Sequence, residues 1–177
     1  MRLATVLVPF GLAAIASQAH AETEQAVSVG VSYATYAALG KAMGNMPPPT
    51  ITPTAGAGLR LGYERALSQE LSMRGAIAGG GFVGGGTAFY SEAALGVTFR
   101  FDVLKYVPYA FVEIGILQRG GGPLSTGLAP VLCLGGGLDV LASRSKSWGI
   151  EAQLSSFGGS TTVFTIGVRG THRWGFF

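Results

Sequence analysis

From Phe89 the chain alternates with a period of two. Phe89, Ser91, Ala93, Leu95, Val97, Phe99 and Phe101 interleave with Tyr90, Glu92, Ala94, Gly96, Thr98, Arg100 and Asp102. Successive side chains of a strand point to opposite faces, so Phe89 to Val103 predicts one apolar face and one face of small residues with three charges. An ordinary strand needs only ~5–6 residues. This one exceeds the roughly 9–11 residues with which a tilted strand crosses a bilayer.

The same period recurs along the chain. Val27, Val29, Val31 and Tyr33 alternate with Ser28, Gly30, Ser32 and Ala34 in a first strand, 26–37. Leu59, Leu61 and Tyr63 alternate with Gly58, Arg60, Gly62 and Glu64 in a second, 54–65. A third strand is expected over 71–78, with Leu71, Met73 and Ile77 opposed by Arg74, and the stretch above is the fourth. A fifth strand follows Leu104-Lys105-Tyr106, with Pro108, Ala110, Val112, Ile114 and Ile116 against Tyr109, Phe111, Glu113, Gly115 and Arg119. A sixth spans 127–141, a seventh carries Trp148, Ile150, Ala152 and Leu154, and an eighth carries Phe164, Ile166 and Val168. The run Asn45-Met46-Pro47-Pro48-Pro49 cannot donate to a ladder and predicts a loop between the first two strands. The glycine clusters 79–86 and 120–122 read as connections.

Composition changes what the strands are for. Of 177 residues, 48% are hydrophobic, 12% charged and 29 are glycine, where soluble domains carry about 25% charged residues. Glycine costs roughly 1 kcal/mol relative to alanine inside a helix, which argues against membrane helices. An apolar chain that crosses lipid without helices must close into a barrel, because lipid satisfies no backbone hydrogen bonds. Eight antiparallel up-and-down strands are therefore expected to form an all-β transmembrane barrel. Lys41, Lys105 and Lys146 fall in predicted connections, whereas a soluble barrel needs charge on its outer strand faces. The apolar set is thus expected to meet outer-membrane lipid, and the polar set to fill a narrow lumen.

That assignment brings Arg60, Glu64, Arg74, Glu92, Arg100, Asp102, Glu113, Arg119, Asp139, Glu151 and Arg169 inside. Charges withdrawn from water are costly unless paired, so a near-balanced set predicts a structural ionic network. Tyr63, Phe99, Phe101, Tyr106, Trp148 and Trp174 are expected as interfacial aromatics at one end, with Tyr36, Phe82, Phe89 and Phe157 at the other.

Met1 to Ala21 reads as a cleaved secretory signal peptide: Arg2, an apolar core, then the A-x-A exit Ala19-His20-Ala21. Residues 22–177 are then the barrel domain. Cys133 is the single cysteine, which excludes an intramolecular disulfide and a thiolate metal cluster. Basic residues are scattered singly, so nucleic acid is not an expected partner. Gly79, Gly81 and Gly84 satisfy G-x-G-x-x-G, but a strand rather than a helix follows, so no cofactor is expected. His172, the only histidine after the signal, lies near the C-terminus, and no catalytic or metal-binding set is expected.

These residues resemble the small eight-stranded outer-membrane barrels of Gram-negative bacteria, the OmpA transmembrane-domain and OmpX-like class. Tyr106-Val107-Pro108-Tyr109-Ala110-Phe111-Val112-Glu113-Ile114-Gly115 is similar to that class's "PY…G" strand, and Leu134-Gly135-Gly136-Gly137-Leu138-Asp139-Val140 to its "GxGxD" strand. The resemblance implies an outer-membrane location, a monomer, and recognition of the last strand by the barrel-assembly machinery. Phe177 is a terminal aromatic, but Phe164, Ile166, Val168, Trp174 and Phe176 run in the other register. Gly170 to Arg173 interrupts them, so a bulge or a terminal extension is expected there. The expected role is a non-enzymatic structural or surface-interaction barrel. The alternatives are a narrow porin-like channel, with lumen glycines supplying space, and a secreted lipocalin-like binding barrel.

Overall fold

The computed structural model describes residues 24–39, 44–47, 49–51, 55–83, 87–101, 105–121, 124–157 and 161–175; the side chains of 51, 124, 125 and 157 lie outside that description. The expected signal peptide, Asp102 and Phe177 fall outside it as well. The strands are β1 (Gln25–Leu39), β2 (Thr50–Ile51), β3 (Ala55–Ala66), β4 (Leu71–Val83), β5 (Ala88–Arg100), β6 (Tyr106–Gly121), β7 (Leu124–Leu141), β8 (Lys146–Phe157) and β9 (Thr161–Trp174). Each long strand pairs antiparallel with the next, and β9 returns to β1 in unbroken register from Gln25↔Trp174 to Ala38↔Thr161. The result is a closed eight-stranded up-and-down barrel. Closure removes the unpaired edges that lipid would leave unsatisfied.

β2 is a two-residue ribbon on the rim, pairing Leu39↔Thr50 and Ala38↔Ile51. The connection expected as a plain loop thus folds back on β1. At the opposite rim the connections are tight. Leu67 and Ser68 donate their amides to the Leu71 carbonyl, and Ala142 and Ser143 donate theirs to that of Lys146. We call these the loop end and the turn end.

The barrel is inverted relative to a soluble one. Val29, Leu59, Ile77, Leu95, Ile114, Leu134 and Ile150 are all exposed, and Leu95 and Ile114 are 67% and 69% accessible. Arg74, Glu113 and Asp139 are buried, at no more than 1%. This arrangement is incompatible with the secreted lipocalin-like alternative, whose outer face must be hydrated.

Four expected boundaries move. β5 stops at Arg100, with the Arg100 amide bonded to the Glu70 carbonyl and the Phe101 amide to that of Pro108. β4 runs through Gly79, Gly80 and Gly81 to Val83 instead of ending at Ala78, and β6 includes Gly120 and Gly121. Lys146, expected in a turn, opens β8 opposite His172, with its side chain exposed at the rim. A long cationic stem is tolerated there because its head reaches the headgroup level. β9 has neither bulge nor break: Gly170, His172 and Trp174 face out while Arg169, Thr171 and Arg173 face in, with continuous register on both sides.

The glycines of β4 show why local composition misled. Gly80 lies directly opposite Tyr90 of β5, and a Cβ there would strike the tyrosine ring and the Ala57 carbonyl. Gly56 faces Phe82, Gly135 faces Phe111 and Gly137 faces Tyr109 in the same direct register. Each glycine seats a lumen aromatic from the neighbouring strand, so these positions belong to the sheet and leave no bore. Gly137→Ala forces the new methyl into the Ile150 carbonyl and the Tyr109 ring. Overpacking of this kind costs about 1–3 kcal/mol. Gly170→Ala meets nothing within 4 Å and is expected to be neutral or slightly stabilising. Guanidinium unfolding of the two variants in lipid vesicles checks the contrast.

Candidate functional site: the filled lumen

The inward face divides into an ionic region towards the turn end and an apolar region towards the loop end. At the turn-end rim, Arg100 Nη1 lies 3.0 Å from Glu24 Oε1, and Arg173 Nε 3.6 Å from the same oxygen. Arg169 grips Asp139 with two bonds, Nε to Oδ1 at 3.1 Å and Nη2 to Oδ2 at 2.9 Å. Such paired contacts are directional as well as strong. Arg173 adds a third donor to Asp139 at 3.1 Å. Arg100 reaches Glu64 at 2.6 Å.

Arg74 occupies the centre, bonded to both Glu151 oxygens at 2.9 and 2.8 Å. Its Nε lies 3.1 Å from Glu113 Oε1, an ion-pair distance without hydrogen-bond alignment. The guanidinium also sits 4.0 Å over the Phe111 ring, and that of Arg169 lies 4.0 Å over Tyr109. Arg60 ties this centre to the next layer through Glu113, Glu92 and Gln153. Gln153 in turn donates to Glu92 at 2.8 Å and to the Ser155 hydroxyl at 2.6 Å.

Above this lies an apolar plug. Tyr36, Phe82, Tyr90, Leu117, Val131 and Val163 form one buried cluster that also contains Cys133. Tyr36 meets Phe82 edge-on at 4.7 Å, and Phe82 meets Tyr90 at 5.4 Å. Between plug and network is a chamber of about 30 Å³, bordered by Ser28, Arg60, Tyr90, Glu92 and Gln153.

Of the residues expected in the lumen network, Arg60, Glu64, Arg74, Glu92, Arg100, Glu113, Asp139, Glu151 and Arg169 are brought together in it. Asp102 lies outside the described residues. Arg119 faces inward but stands apart near the loop end, where it donates to the Thr161 hydroxyl. Two members were missed, Glu24 and Arg173. Extending the parity of β1 back from Ala26, and that of β9 through Gly170, identifies both.

Tyr36 and Phe82 require correction. Both were expected in an interfacial girdle, but they are 2% and 1% accessible and point inward. Tyr36 shares its parity with Ser28, Ser32 and Ala34, which places it on the lumen face. Tyr63, Phe99, Phe101, Tyr106, Trp148 and Trp174 are exposed near the turn end, and Phe89 is exposed near the loop end. Phe99 and Phe101 contact edge-on at 4.9 Å, and Trp174 stacks on His172 at 6.0 Å. The Phe157 side chain lies outside the described residues.

No protein-family model matches the sequence, and no characterised protein matches it in a sequence search. Solved structures do match. Neisserial surface protein A (NspA) aligns over 85% of this chain and 97% of its own, with a TM-score of 0.68 and 8% identity. Ail, the attachment invasion locus protein of Yersinia pestis, aligns over 86% and 99%, with a TM-score of 0.61 and 17% identity. The outer membrane enzyme PagL aligns over 84% and 98%, with a TM-score of 0.50 and 15% identity. At these identities the likeness is one of fold. The chain is an eight-stranded barrel of the outer-membrane type, similar in architecture to small barrels that include both surface proteins and an enzyme.

Proposed function

We propose that this protein is a structural or surface-interaction barrel of the Gram-negative outer membrane, with a sealed lumen and its loop end directed outward. The observation that carries the reading is the lumen filling itself: an ionic network and an aromatic plug stacked in series along the barrel axis. Eight strands leave an interior that side chains can fill. The exposed apolar belt supports residence in lipid, and the tight turns at one end support a periplasmic placement for that end.

A non-enzymatic role is favoured by where the reactive groups stand. His172 is on the lipid face beside Trp174, while Cys133 is fully buried in the plug. General base and nucleophile chemistry requires such groups within hydrogen-bond reach of one another and of substrate.

Planar-bilayer recording of the full chain tests the proposal. The expected result is background current with rare, unsteady events. Sizeable steady single-channel currents from the unaltered barrel sink it in favour of the narrow-channel alternative.

A further inference from the structure

Arg119 is the one described lumen arginine that no carboxylate balances. The guanidiniums of Arg60, Arg74, Arg100, Arg169 and Arg173 each lie within ion-pair distance of at least one carboxylate. Among the described residues Arg119 has a single side-chain partner, the Thr161 hydroxyl, and its Nε is buried without any. The nearest carboxylate along its neighbouring strand is Glu92, beyond Tyr90, and that group is engaged by Arg60 at 3.2 Å and Gln153 at 2.8 Å.

The sequence closes off other sources of compensation. Residues 40–54, 84–87, 122–123 and 158–160, which connect strands at this end, contain no Asp or Glu and one lysine, Lys41. The loop end is therefore cationic, while every described lumen carboxylate belongs to the ionic network. Arg119 is only half-buried, so an anion from outside the chain can reach this uncompensated cation, and its enclosed Nε still lacks a partner.

Two further features lie at this end of the barrel. Among the described pairings the only register shift falls between Arg119 and Gly121, where β7 carries one extra residue opposite β6. Bulges re-aim side chains and are over-represented beside functional sites. Gly121 at φ 85° completes that local bend. The hydroxyl of Tyr36, itself 2% accessible, is buried with no partner. Tyr36 and Thr161 face inward on adjacent strands, in the register Tyr36↔Val163 and Ala38↔Thr161.

We infer that the loop-end mouth binds a soluble phosphate or sulfate group, with Arg119 as its charged anchor and the Thr161 and Tyr36 hydroxyls as flanking donors. The inference rests on the surface-interaction reading and gives it a ligand chemistry. Lipid headgroups surround the outer wall, whereas Arg119 faces inward, so the group must enter from the aqueous side of the loop end.

The test is a titration of the full ¹⁵N-labelled barrel in detergent micelles with inorganic pyrophosphate, using chloride at equal ionic strength as the control. Saturable shifts of the Arg119 Nε–H and of the Gly120, Gly121 and Thr161 amides are expected with pyrophosphate alone. Arg119→Gln should raise the Kd by about tenfold or more, the scale of a hydrogen bond to a charged group, and Arg119→Lys should recover part of the loss. Folding of each variant is checked by a heat-shift gel, and Thr161→Val provides a second, milder weakening. Non-saturable shifts, or an unchanged Kd in Arg119→Gln, overturn the inference. Equivalent shifts in nanodiscs bearing phosphorylated lipid A, without pyrophosphate, overturn the soluble source. A conducting wild-type barrel overturns the sealed-lumen reading and leaves this titration to be judged separately.

Discussion

Arg74→Ala is expected to lower the unfolding free energy by about 3–5 kcal/mol, the cost of removing one partner from a buried ionic cluster. Arg74 is 1% accessible and lies within ion-pair distance of Glu64, Glu113 and Glu151. Its loss leaves three carboxylates facing one another with only Arg60, Arg100 and Arg169 at their margins. It also removes the cation from over the Phe111 ring, a contact worth up to ~2 kcal/mol when desolvated. Arg74→Met combined with Glu113→Leu should lose less than the sum of the two single changes, because apolar replacement of both partners is often near neutral. Guanidinium unfolding in lipid vesicles, followed by tryptophan fluorescence, measures this. Additive losses in the double variant would show that the pair is not coupled.

Phe82→Ala is the second large effect, with an expected cost of about 3–5 kcal/mol for a cavity in the plug. Phe82 bridges Tyr36 and Tyr90, so two aromatic contacts go with it, each worth ~0.5–1.5 kcal/mol beyond its buried area. The functional consequence separates plug from network. Below Phe82 the Arg60 and Arg74 layers are intact, so Phe82→Ala is expected to stay non-conducting in planar bilayers. Arg74→Ala should also stay closed, beneath an unaltered plug. Only the combination of the two is expected to pass ions. Steady currents from Phe82→Ala alone would mean that the plug is the sole seal and that the ionic layer is permeable.

The two regions of the lumen do different work in this account. The plug excludes water by packing, and its cost of disruption is a cavity. The ionic network fills space with groups that are stable there only because each has opposite charge in reach. Within the network Arg60 joins two layers, contacting Glu113 in one and Glu92 and Gln153 in the next. The Arg119 mouth lies beyond the plug from this network. The phosphate or sulfate proposed for the mouth would therefore be separated from the lumen carboxylates by apolar side chains.

How much of this was readable without coordinates follows from the range of each interaction. Period-two alternation is local, so the parity of Val27, Leu59, Leu95, Ile114 and Ile150 by itself determined eight strands, the apolar set on one face and most of the charges gathered on the other. The scarcity of charge, with lysine kept off the strand interiors, selected lipid over water for that apolar face. Parity also placed Tyr36 inside, where reading it by its nearness to a strand end did not. What the tertiary structure alone decided depends on register between strands distant in sequence. Gly79–Gly81 resembles a connection until Tyr90 is found seated on Gly80. Arg74 is one charge among many until stagger brings Glu64, Glu113 and Glu151 around it. The same stagger gathers the aromatics of β1, β4 and β5 into one plug and leaves Arg119 beyond it. A one-residue shift in any pairing would turn these side chains to the other face, so their company is fixed by closure of the whole sheet.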